Sequence, residues 1–210
     1  MQSAISATAV LAGVWFGASL AGRREEKRER QRIEKESSYL AILVIAHLDR
    51  LANDCVDVAL DDGTSEGRPA GRDGDYHMAT TSTPKFEPLS LEVEWKVLPA
   101  DLMYGILNLP YQIEQLDNRV SGIWEHDDPP DYTQTFWARR LGFARLGREA
   151  SDLAVQLRKH AGLPAAPAAE GEWNRDECMR EQIEKIESAR KAYEARWAAS
   201  NLGDLEEIAT

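Results

Sequence analysis

Cysteine is nearly missing from this chain. Cys55 and Cys178 are its only two, and they lie far apart in sequence. That pattern is neither a disulfide framework nor a zinc-ligand spacing, so two reduced thiols in a reducing compartment are expected. A single bridge stays open for a domain outside the cytoplasm. Histidine is equally sparse: His47, His77, His126 and His160 each stand alone. The chain also lacks a GxSxG elbow, a P-loop, a GxGxxG turn and an HExxH helix. His126-Asp127 matches the His-Asp pair of metal phosphohydrolases as a dipeptide only, without the further ligands that chemistry requires. No catalytic residue, metal ligand or cofactor site is assigned, and a non-enzymatic protein is expected.

Positive charge is short as well. The formal net charge is -11 over 210 residues. Residues 23–36 hold seven Lys or Arg against five Glu, a local +2, which leaves -13 on residues 37–210. Phosphate binding needs a clustered positive surface, so the acidic body argues against nucleic acid as a partner.

Residues 1–22 contain no charged side chain at all. About 20 uncharged residues at roughly 1.5 Å each cover about 30 Å, the depth of a bilayer's hydrocarbon core. Residues 1–22, with 3–22 as the span itself, are expected to form a transmembrane anchor. Two other readings compete for this segment. A cleaved signal peptide has a plausible site at Ser19-Leu20-Ala21 but no basic residue ahead of it. A buried core helix would carry one apolar stripe, whereas this segment is apolar or small all round. Lys and Arg follow the span and none precede it, which places the N-terminus outside and the body in the cytoplasm, for example at a bacterial inner membrane. Ala9, Gly13, Gly17 and Ala21 recur every four residues. Small residues at this spacing let two membrane helices approach closely, so this face is the candidate for homo-oligomer pairing.

Residues 23–37 carry interleaved charges on every face, the signature of a solvated helical stalk. Its basic residues nearest the bilayer would also meet anionic lipid. Leu40, Val44, Leu48, Leu51, Cys55 and Val58 then fall at spacings of three and four, predicting a first bundle helix over 38–59. His47 lies near that face and is expected to be a buried, hydrogen-bonded histidine. Residues 61–88 carry turn chemistry, including Asp61-Asp62-Gly63, Pro69 and Asp73-Gly74-Asp75. A calcium loop from Asp73 fails at His77 and Met78, and one from Asp61 fails at Gly63. This long loop is the expected partner-contact region.

Leu91, Val93, Trp95 and Val97 alternate with Glu92, Glu94 and Lys96, a period-two strand signal. Residues 76–83 are the candidate partner strand of an accessory β-hairpin. Pro110 is expected to separate a helix ending near Leu107 from one running over 111–126. Residues 132–161 read as the clearest soluble helix, with Phe136, Phe143, Leu146, Ala150, Leu153 and Leu157 as its stripe and Arg139, Arg140, Arg145 and Arg148 as a solvated basic patch. Residues 163–172 form an Ala/Pro linker. Residues 173–200 form an amphipathic helix capped by Asn174. Met179, Ile183, Ile186, Tyr193 and Trp197 make its pairing seam, with Arg190 in the vacant position. Packing inside the domain is favoured over pairing with another chain. Trp173 and Trp197 read as core or interface residues, and 201–210 as a frayed tail.

The expected architecture is all-α: a single transmembrane helix continuing into a charged stalk and a small helical domain over 38–162, with an accessory hairpin. Such a chain would act through the lipid bilayer and an unidentified protein partner as a scaffold, adaptor or regulator. The alternatives are an exported cell-envelope helical protein and a membrane-tethered enzyme with its site in the 61–88 loop.

Overall fold

The computed structural model describes residues 2–165 and 173–208, with side chains over 22–165 and 173–199. Within these limits the protein is mostly helical. Its four α-helices are α1 (Gln2–Leu60), α2 (Ala100–Trp124), α3 (Thr133–His160) and α4 (Arg175–Ile208). Among the described residues, no helix is long and apolar enough to cross a membrane. The side chains of the uncharged residues 3–21, with the small face at Ala9, Gly13, Gly17 and Ala21, lie outside the described ones.

Stalk and first bundle helix are one unbroken helix. Every side chain from Gly22 to Lys35 is exposed. Only spaced ion pairs accompany this stretch, such as Arg32 with Glu29 at 3.2 Å and with Glu36 at 3.6 Å. Exposed pairs of this kind contribute a few tenths of a kcal/mol each, so helix propensity and continuity with the packed part sustain the stalk. Burial begins at Ser37. From there Leu40, Val44, Leu48, Leu51, Cys55 and Val58 are all essentially inaccessible. His47 is exposed, contrary to expectation. It sits one position short of Leu48, past the edge of the buried stripe.

α3 is the central helix. It packs on α1, α2 and α4, and its buried positions include Phe136, Phe143, Ala144, Gly147, Ala150, Ser151, Ala154 and Leu157. Three packing partners explain why burial covers more than one stripe. It runs antiparallel to α1: Arg139 meets Asp61 near one end, Arg158 meets Asp49 further along, and His160 reaches the level of Ser37 and Arg30. Gly147 marks a close crossing of α3 with α1 and α4. A Cβ there would lie 2.6 Å from Met179 Sδ and 2.7 Å from Cys55 Cβ.

α2 runs straight through Pro110, so the expected two helices are one. Proline in a helix interior costs about 3 kcal/mol. Leu102, Ile106, Leu109 and Ile113 are buried on both sides of it at spacings of four, three and four. Burying a side chain of this size contributes about 1.5–3 kcal/mol, so four of them outweigh the proline.

The expected hairpin of residues 76–83 with 89–97 does not form. The one ladder among the described residues is antiparallel and two residues long on each side, β1 (Thr64–Ser65) with β2 (Arg68–Pro69). Residues 79–98 are instead a strap running back along the bundle. Pro84, Phe86 and Pro88 are buried, Leu91, Val93, Trp95 and Val97 are half-buried, and the residues between them are exposed. The period of two is real, but it records one-sided burial against helices of a segment that includes 3-10 turns at Pro88–Ser90 and Trp95–Val97. No partner strand is needed to produce it.

α4 begins on Asn174, whose Oδ1 accepts the backbone N–H groups of Asp176 and Glu177 at 2.9 and 3.1 Å. Arg175 ties this start to α1 and α3, donating to Asp49 Oδ1, the Asp49 carbonyl, Asn53 Oδ1 and Ser151 Oγ. α4 therefore runs parallel to α1. Its residues 191–199 are all exposed, and its backbone remains helical to Ile208. The stalk leaves one pole of the bundle and α4 leaves the other.

Candidate functional site

The pole opposite the stalk gathers the chain's polar chemistry. α1 ends there, so its last carbonyls need donors. Arg140 Nε supplies one to the Ala59 carbonyl at 2.9 Å, and its Nη2 donates to Gln182 Oε1 at 3.0 Å. The next acceptor is Asp61, whose side chain is 1% exposed. Its carboxylate takes five hydrogen bonds. They come from the Gly63 N–H at 3.0 Å, the Thr80 N–H and hydroxyl at 2.9 Å each, the Thr81 N–H at 2.9 Å and Arg139 Nη1 at 2.8 Å. Arg139 Nη2 also donates to the Thr81 carbonyl.

Asp61 thus joins the end of α1, the far limb of the 61–88 loop and the first turns of α3. Burial alone would raise its pKa. The bonds from Thr81, Gly63 and Thr80 and the charge of Arg139 outweigh it, holding the carboxyl below its ordinary value. A carboxylate with five donors has no lone pair free for proton transfer, so its part is structural. Gly63 is required for the close turn. Its φ is +80°, and an added Cβ would lie 2.3 Å from the Phe136 ring.

The loop is held elsewhere too. Asp62 Oδ1 accepts from the Thr64 N–H at 3.1 Å and hydroxyl at 2.7 Å, and the latter bond leads in lowering its pKa. His77 Nδ1 lies 3.0 Å from the Asp62 carbonyl. The His77 N–H donates to the Pro130 carbonyl at 2.8 Å. Asp73 and Asp75 are exposed on a separate 3-10 turn. The acidic residues of the loop are therefore dispersed, and no group of three or more metal-ligating side chains occurs among the described residues.

Beside Asp61 a cleft of about 460 Å³ opens between the strap, α2 and the start of α3. Asp117, Ser121, Trp124 and Glu125 line it from α2, and Thr135, Phe136 and Arg139 from α3. Trp124 stacks on Tyr132 with ring centres 3.9 Å apart. Tyr132 has the left-handed backbone φ of +46° that starts α3. Asp127 Oδ2 accepts the Thr135 N–H at 2.7 Å, answering the open end of the helix. Asp117 Oδ1 accepts from the Thr83 hydroxyl at 2.8 Å. The Thr135 hydroxyl is buried without a hydrogen-bond partner.

The expected pairing seam of α4 divides in two. Met179 and Ile186 are buried and Ile183 is half-buried, with Met179 packed on Val56, Ala59 and Ala144. Tyr193 is exposed and meets Trp137 edge-on at 5.6 Å. Trp197 is 64% exposed and Trp173 is 58% exposed, so neither belongs to the core. The basic patch expected on α3 is also dispersed. Arg139 and Arg140 turn inward, Arg145 reaches Glu187 at 2.6 Å, and Arg148 stays exposed. The Asp61–Arg139 pair and the cleft were missed by sequence reasoning, because their members lie up to 78 residues apart. Comparison with protein-family models, curated proteins and solved structures finds no match to this chain.

Proposed function

We propose that the chain is a membrane-tethered, non-enzymatic helical protein that acts through protein contacts as a scaffold, adaptor or regulator. Its N-terminus lies outside and its body on the cytoplasmic side, as at a bacterial inner membrane. The observation that carries this reading is α1 itself. One helix leads from the uncharged residues at its start, through a stretch exposed on every face from Gly22 to Lys35, into the bundle core. At 1.5 Å per residue its 59 residues extend about 90 Å, enough for a span, a stalk and one full side of the bundle. The tether rests on the sequence of residues 3–22, which carry no charge. The saturated Asp61 carboxylate supports a non-enzymatic body, since the most buried acidic group is committed to holding the loop. Pairing of two spans through Ala9, Gly13, Gly17 and Ala21 is part of the same proposal.

The test is membrane fractionation of the full chain and of a form lacking residues 2–22, with thiol labelling from outside intact cells. The full chain should sediment with membranes, the shortened form should not, and Cys178 should label only after the cells are opened. A soluble full chain overturns the tether. Labelling of Cys178 in intact cells overturns the orientation and favours the exported reading. Gly13→Leu with Gly17→Leu should abolish self-association in the membrane, and an unchanged oligomer removes the pairing face.

A further inference from the structure

We draw no further inference here: the strongest candidate, the exposed surface patch of Tyr193 and Trp197 where α4 leaves the pole opposite the stalk, carries nothing because no feature of the structure shows what covers it.

Discussion

Arg139 reaches Asp61 across 78 residues of chain, placing Nη1 2.8 Å from Oδ2 in a pocket where neither side chain is more than 7% exposed. The pair sits where α1 ends, the loop returns and α3 begins. Its net worth is small in principle, since burying two charges costs much of what their attraction returns. Its integrity is another matter, because removing one member strands the other.

Arg139→Met should therefore destabilise the fold by about 3 kcal/mol, and Asp61→Ala by about 3–5 kcal/mol. The double variant should fall short of the sum by about 1–3 kcal/mol, because the two share one interaction. Urea unfolding of the four proteins measures this. Strict additivity would show that the two residues act independently.

The lowered Asp61 pKa has a defined consequence in acid. A carboxyl whose folded pKa lies below its unfolded value, about 3.9, adds stability above that value. The contribution disappears as pH falls through the folded pKa. Asp62 acts in the same direction through Thr64. Asp61→Asn should therefore be less stable than the parent at pH 6, and the gap should narrow as pH falls below about 4. Denaturant midpoints across that range decide it, and a constant gap would remove the linkage.

The two thiols should differ sharply in reactivity. Cys55 is fully buried, and burial, with Asp54 beside it, pushes its pKa up to about 12. Cys178 is only partly buried; burial and Glu181 raise its pKa as well. A maleimide at pH 8 should label one cysteine per folded chain, at Cys178, and both in urea. Mass spectrometry of the labelled peptides reads this directly. Rapid native labelling of Cys55 would mean that α1 and α3 separate readily.

Gly147 and Gly122 should respond to alanine in opposite directions. Alanine in a helix is favoured over glycine by about 1 kcal/mol. At Gly122 nothing lies within 4 Å of the added Cβ, so Gly122→Ala should stabilise by about 0.5–1 kcal/mol. At Gly147 the Cβ would meet Cys55 Cβ at 2.7 Å, an atom fixed to the α1 backbone. Overpacking costs about 1–3 kcal/mol and should exceed the propensity gain, so Gly147→Ala should destabilise. Thermal melts of both variants separate the two effects.

Much of the bundle is legible in the sequence because its signals are local. The stripe from Leu40 to Val58 and the cap at Asn174 each need only neighbours a few residues apart. The strap shows where such a signal underdetermines structure. Alternation at Leu91, Val93, Trp95 and Val97 says that one face is covered, and the cover is helical. Pro110 shows a local rule yielding to packing, since the stripe from Leu102 to Ile113 passes through it in register. The Asp61 cluster was not legible at all. Four of its five bonds come from residues 19 to 78 positions away, and the fifth comes from a turn at Gly63 that closes only around Phe136. The seam residues of α4 were readable from their spacing; that the seam leaves the core after Ile186 was not.

The central position of α3 also dictates an order of events during synthesis. α1 is complete once residue 60 has been made, yet its main packing partner ends at His160. At about 5–20 residues per second, the intervening hundred residues take roughly 5–20 seconds. For that interval the row from Leu40 to Val58 lacks its main packing partner. A ribosome stalled between these points would hold a long helix with a bare apolar stripe, the species most prone to aggregation or capture by chaperones. Once α3 emerges it closes against α1, and α2 and α4 have a surface on which to settle.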